Sequence, residues 1–170
     1  MSSQWEPYEE LQRYPVDEVK RSQLFTEQIE CAVAWTTGEG WPVGVMHWFL
    51  WHEGRFWVTV MNKRSRVRAL RERPESCVIV SSAGTDLGPV FSVTAKTRAT
   101  VHDDHETRVW FAHALAEKAY SSNPPMKEQF RSMLSETERA TIELEPVQYI
   151  SYDAAKMAGA LDAAGLLKRA

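Results

Sequence analysis

The segment Asn62-Lys63-Arg64-Ser65-Arg66-Val67-Arg68 places four cations around one serine. It stands where a strand-like run, Arg55 to Met61, gives way to a helical one, Ser65 to Arg73. A helix start exposes unpaired backbone N–H groups and a partial positive charge, which suits a phosphate. Cationic side chains and a hydroxyl there can complete an anion site. Cations at that end are unfavourable for the helix itself, so their placement points to an anion that offsets them. On charge alone, a solvated basic face explains the same residues equally well.

A second group is aromatic. Trp41, Trp48, Trp51 and Trp57 fall within one hairpin with Phe49 and Phe56. Aromatic walls suit a planar ring system, and they also suit a core or a subunit interface. His47, beside Trp48 in an apolar run, can donate to a ring carbonyl or serve as a satisfied core histidine. His102-Asp103-Asp104-His105 matches no strong metal spacing and reads as a helix cap, with Asp103 or Asp104 as the capping residue. No metal is expected. Phosphate-loop, dinucleotide and nucleophile-elbow motifs are absent, and no catalytic side chain can be named.

The elements that position these residues follow from periodicity. Strands are expected at Glu30 to Thr36, Trp41 to Trp51, Arg55 to Met61, Ser76 to Ser82, Val90 to His102 and Ala140 to Asp153. The second of these is apolar on both faces, with Val43, Val45, Phe49 and Trp51 on one and Met46, Trp48 and Leu50 on the other. One face can fill a barrel while the other meets a helix, a ligand or a second subunit. Helices are expected from Ser65 to Arg73, facing inward through Val67 and Leu70, and from His105 to Tyr120, facing inward through Val109, Ala112, Leu115, Ala116 and Ala119. A further helix carries Met126, Phe130, Met133 and Leu134, and another closes the chain with Met157, Leu161, Ala164 and Leu167 inward.

The chain has 170 residues and a net charge of -3. That fits one domain with a full core and gives no global drive toward nucleic acid or an anionic membrane. No apolar run is long enough to span a bilayer. The start is polar and acidic and lacks the pattern of a secretory signal. Cys31 and Cys77 lie in apolar runs and read as free, buried thiols in a reducing cytoplasm.

These residues resemble the pyridoxamine 5'-phosphate oxidase-like superfamily of flavin- and deazaflavin-binding split barrels. The resemblance runs from Gly40-Trp41-Pro42-Val43 through His47-Trp48-Phe49-Leu50-Trp51 and Gly54-Arg55-Phe56-Trp57-Val58-Thr59-Val60. It continues through Ser65-Arg66-Val67-Arg68-Ala69-Leu70 to Pro74-Glu75-Ser76-Cys77-Val78, with later echoes at Arg98 to Val101 and Glu145 to Val147. It covers roughly residues 28 to 153. Ala69 stands where many relatives carry asparagine. The Leu166-Leu167-Lys168-Arg169-Ala170 ending differs from the Arg-x-His of authentic pyridoxamine-phosphate oxidases, so vitamin B6 oxidation is not expected.

The resemblance implies an α+β fold, mainly β: a six-stranded antiparallel split β-barrel that forms a homodimer with cofactor sites at the interface. The single domain, residues 1–170, has a core at 28–153, a helical insert at 105–140 and a C-terminal helix at 154–170. The implied function is that of a flavin mononucleotide (FMN)-dependent oxidoreductase acting on a small molecule. The alternatives are a reductase using the deazaflavin coenzyme F-420, or a non-catalytic flavin- or haem-binding protein. Met46, His47 and Trp48 would line the ring, and Val58, Thr59 and Val60 would flank it through backbone contacts. Lys63, Ser65 and Arg66 would hold the phosphate with Arg64 beside them; Arg64, Arg68 and Arg71 would serve a longer deazaflavin tail.

Overall fold

The computed structural model describes residues 13–166 apart from 89 and 137. Within them the elements are α1 (Glu18–Glu27), β1 (Glu30–Thr36), β2 (Pro42–Trp48), β3 (Leu50–His52), β4 (Arg55–Met61), α2 (Ser65–Glu72), β5 (Glu75–Ser81), β6 (Phe91–His102), α3 (His105–Tyr120), α4 (Pro124–Glu136), β7 (Arg139–Asp153) and α5 (Ala154–Ala163). Aspartates cap three helices. Asp17 accepts from the Lys20 N–H at the start of α1, Asp104 from the Thr107 N–H at α3, and Asp153 from the Ala155 and Lys156 N–H groups at α5, each satisfying a donor the helix leaves unpaired. Leu167 of the expected last helix lies outside the described residues.

All pairings are antiparallel, and the sheet order is β2-β1-β5-β6-β7-β4-β3. The expected count of six strands is therefore corrected to seven. The continuous strand expected from Trp41 to Trp51 breaks at Phe49, whose N–H donates to the Ile29 carbonyl at 3.0 Å. Its two halves, β2 and β3, sit on opposite edges of the sheet. One residue joins them, and the two α-carbon steps from Trp48 to Leu50 span at most ~7 Å, so the two edges must curl toward each other. The result is a half-barrel. At Lys96/Thr97 the register against β7 shifts, leaving Val147 without a partner beside Pro146, which has no N–H to donate.

The two apolar faces of the second expected strand go to two cores. Val43, Phe49 and Trp51 join the barrel interior with Val33, Phe56, Val58, Val80 and Phe91. Trp48 and Leu50 join a smaller cluster under the helical hairpin, with Phe111, Leu115, Phe130 and Leu134. Phe111 was not on the expected stripe of α3, whose buried residues are Phe111, Ala112, Leu115 and Ala116. Ala69 is buried in α2 beside Val67 and Leu70. Cys31 is a buried free thiol, pushed up to about 12 by burial. Cys77 is free but only half-buried, a correction to the expected core position.

Phe49 also fastens the insert. Lys118 of α3 lies 4.5 Å from its ring centroid and donates to the carbonyls of Gln28 at 2.7 Å and Phe25 at 3.3 Å. Burial lowers this ammonium to about 8. Phe49 is fully buried, so Phe49→Ala is expected to cost ~3–5 kcal/mol. Urea unfolding at neutral pH checks this; a loss below ~1 kcal/mol would show that the edges are held together elsewhere.

Candidate functional site

The strand break delivers the end of β2 to β4. His47, paired with Cys31 across β1, turns its Nε2 toward the Arg66 guanidinium of α2 at 3.1 Å. Arg66 in turn lies 5.5 Å from the Trp35 ring centroid. Arg139, at the start of β7 and opposite Met61, donates from Nε to Thr59 Oγ1 at 3.1 Å and approaches Met61 Sδ at 3.3 Å. The Thr59 hydroxyl in turn donates a hydrogen bond to the Ala140 carbonyl at 3.1 Å.

Burial holds His47 down to about 4, reinforced by the Arg66 and Arg139 charges and opposed by the Thr59 carbonyl. The imidazole is therefore neutral at physiological pH. Because Arg66 can only donate, Nε2 is the acceptor and the ring proton sits on Nδ1. Burial lowers both arginines, and Arg64 adds to the effect on Arg66. Neither Arg66 nor Arg139 has a carboxylate partner among the described residues. Six other arginines face carboxylates: Arg55 with Glu143 and Glu145, Arg68 and Arg73 with Glu72, Arg71 with Asp103, Arg98 with Glu75, and Arg131 with Glu128. Two half-buried guanidiniums without a carboxylate thus lie near one neutral histidine, a charge and donor supply that suit an anion.

Met46, His47, Trp48, Thr59 and Arg139 line one cavity of about 320 Å³, closed by Leu115 of α3 and by Phe130, Met133 and Leu134 of α4. The Trp48 ring stands 5.5 Å from Phe130 and 6.0 Å from Tyr120, and its Nε1 donates to Glu30 at 3.2 Å. The structure thus brings Met46, His47, Trp48, Thr59 and Arg66 together. The side chains of Val58 and Val60 point away into the core. β3 pairs no further along β4 than Trp57, so the backbone from Val58 to Val60 lacks β3 as a partner. Lys63, Arg64 and Ser65 are exposed at the start of α2. Arg64 is the N-cap residue and makes no side-chain capping bond, which leaves the first N–H groups of the helix to other acceptors.

Arg139 was missed by sequence reasoning. It follows Ser135-Glu136-Thr137-Glu138, whose pattern reads as a helix capping box, and its register against Met61 sets it beside Thr59. Around the His102 segment, Asp104 caps α3 while His102 lies 2.9 Å from Glu143. No helix among the described residues is long and apolar enough to cross a membrane.

No protein-family model and no curated protein sequence matches the chain. Solved structures do. A conserved hypothetical protein from Mycobacterium tuberculosis superposes with a TM-score of 0.71 at 15% identity, over 85% of this chain and 88% of that one. The heme storage protein HutZ from Vibrio cholerae gives 0.62 at 15% identity, over 79% and 94%. A protein from Listeria innocua provisionally named a pyridoxamine 5'-phosphate oxidase gives 0.57 at 12% identity, over 79% and 98%. An F420 reductase and an FAD-binding protein from Mesorhizobium loti are similar in the same way. At such identities the likeness establishes the fold: this chain is a split barrel of the pyridoxamine 5'-phosphate oxidase-like type.

The neutral His47 makes a pH prediction. Its folded value of about 4 lies below the ordinary 6.5. Between those values the unfolded chain binds the proton and the folded chain does not, so stability falls as pH drops through that window. The loss is ~2–3 kcal/mol after allowing for partial solvent screening. Urea unfolding at pH 7 and pH 4.5 should show a smaller acid loss for His47→Gln than for the parent. Parallel losses would mean that His47 protonates freely in the fold.

Proposed function

We propose that the protein is an FMN-dependent oxidoreductase acting on a small molecule, with the cofactor held where two copies of the chain meet. The observation that carries this reading is the pair Arg66 and Arg139: half-buried cations without a carboxylate, beside an aromatic-walled cavity, in a fold whose solved members include an FAD-binding protein and an F420 reductase. The residues present fit a phosphate-bearing ring. Arg66 supplies a fork for a phosphate, His47 orients that fork by accepting one of its N–H groups, and the uncapped start of α2 with Lys63, Arg64 and Ser65 adds backbone and side-chain donors. Met46, His47 and Trp48 wall the ring, and the backbone of Val58, Thr59 and Val60 offers groups along its edge.

Bound flavin supplies the electron transfer; the chain supplies binding, orientation and field. Arg139, fixed by Thr59, contributes a positive charge to the cavity that favours an electron-rich ring. The deazaflavin alternative is less well served. Of the three cations considered for its longer tail, Arg68 lies 3.9 Å from Glu72, and Arg71 is paired with Asp103, which leaves Arg64. Haem storage is less well served too, because the His47 nitrogen an iron would need already faces Arg66.

The homodimer rests on the outer face of the sheet. One register row crosses it as Met46, Ala32, Ile79, Thr94 and Ile150, and the next as Gly44, Ala34, Cys77, Lys96 and Gln148. Met46, Ile79 and Ile150 are 59%, 39% and 52% exposed. An apolar row of this kind in open water matches the core of an obligate interface.

Two measurements test these points. Arg66→Ala should weaken FMN binding by ~30-fold or more while barely moving the melting temperature of the empty protein. Arg98→Ala, an exposed arginine 3.6 Å from Glu75, should leave FMN affinity unchanged. Equal affinities for the two variants would reduce the basic turn to solvated surface. Sedimentation should give twice the chain mass, and Ile79→Asp with Ile150→Asp should give a folded monomer that has lost FMN; a parent monomer that binds FMN would remove the shared site.

A further inference from the structure

A second corner of the molecule has the opposite electrostatics. We propose that the angle between the β3–β4 hairpin and the first turns of α3 binds a small organic cation with a trimethylammonium-type head. It shares no residue with the His47 cavity and does not depend on the flavin reading.

Two tryptophans build the corner. Trp57 comes from β4 and Trp110 from α3; their ring centroids are 4.9 Å apart and their planes meet at 74°. Both rings are half-buried, so each keeps part of its surface open. His52 adds a third ring 5.0 Å from Trp110, and His102 stands 5.4 Å from Trp57. Glu53, Glu106 and Thr107 complete a cavity of about 300 Å³. Aromatic faces carry negative charge density and attract a cation without needing directed hydrogen bonds.

The rim sets the sign of the ligand. No lysine or arginine lines the cavity. The Glu53 and Glu106 carboxylates have no lysine or arginine partner among the described residues; His52 Nε2 lies 3.8 Å from the Glu53 carboxylate, and Arg55 donates to the Glu53 backbone carbonyl at 3.3 Å while its charge faces Glu143 and Glu145. Glu143, close by on β7, is already taken by Arg55 at 2.6 Å and His102 at 2.9 Å. The start of α3 would otherwise invite an anion, but Asp104 caps it and Glu106 puts a further negative charge in its first turn. An anion is therefore repelled, and a primary ammonium, compact and strongly hydrated, would pair with the two exposed carboxylates at the rim rather than lie against the rings. A quaternary head needs only ring faces and diffuse negative charge. The same logic separates a free cation from a phosphocholine headgroup, whose phosphate would meet Glu53 and Glu106.

Choline is the probe, with 3,3-dimethylbutan-1-ol as its uncharged isostere and phosphocholine as its anionic-tailed relative. Each is titrated into the full-length protein and followed through the indole N–H NMR signals, with Trp57 and Trp110 identified by substitution. Choline should shift both signals saturably at millimolar concentration, and the alcohol and phosphocholine should bind ~10-fold more weakly. Trp110→Leu should abolish the shift at Trp57. Glu53→Gln with Glu106→Gln changes only exposed side chains and should weaken choline several-fold, so it carries the test if Trp110→Leu does not fold. Equal responses to choline and the alcohol, tighter binding of phosphocholine, or unchanged choline affinity in the double glutamine variant would overturn the proposal.

Discussion

The architecture depends on one residue of slack. Between β2 and β3 there is only Phe49, yet these strands lie at opposite edges of a seven-stranded sheet. A flat sheet would hold those edges several strand spacings apart, at ~4.8 Å each. The chain closes that distance by curling the sheet, and the buried Phe49 ring fills the resulting interior with Phe56, 5.7 Å away. Once the edges meet, the end of β2 faces β4, and His47 comes within reach of Arg66, Thr59 and Arg139. Lys118 seats over the same ring, so the closure also fixes where the helical hairpin docks.

That closure explains how unlike uses of one residue type coexist. Six arginines, Arg68 and Arg98 among them, face a carboxylate at or near the surface, where each pair contributes little to stability. Arg66 and Arg139 are drawn under the curl instead, where carboxylates are absent and solvent is reduced. A neutral histidine, a tryptophan face and a threonine hydroxyl are what they have. These groups hold the guanidiniums without neutralising them, and Arg139 lines the cavity. Desolvation of His47 between two cations removes the third charge the cluster would otherwise carry.

The insert plays two roles through the same packing. Its inner face, Phe111, Leu115, Phe130 and Leu134, covers Trp48 and Leu50 and closes the His47 cavity. Its leading turn carries Trp110 against Trp57 and brings Glu106 to the opposite mouth. Cationic and anionic regions are thus kept apart by the apolar cluster on which both rest. The barrel's outer face, by contrast, is left with Met46, Ile79 and Ile150 in the open, and nothing among the described residues covers them.

Much of this was legible from residue order. Period-two alternation marks β6, an aspartate before α3 is a local cap, and the four cations of the basic turn are neighbours in the chain. Those signals act over a few residues, so reading them needs no knowledge of the fold. The two-sided apolar hairpin was also visible, but its break at Phe49 was not, because the apolar run Trp48-Phe49-Leu50-Trp51 carries no local mark of a change of partner. Which arginine lacks a carboxylate, why His47 is neutral, that Arg139 belongs beside Thr59, and that Trp110 stands against Trp57 were decided only by tertiary structure. Each depends on groups far apart in sequence, and burial and charge pairing are set by whichever neighbours the curled sheet brings within a few ångströms.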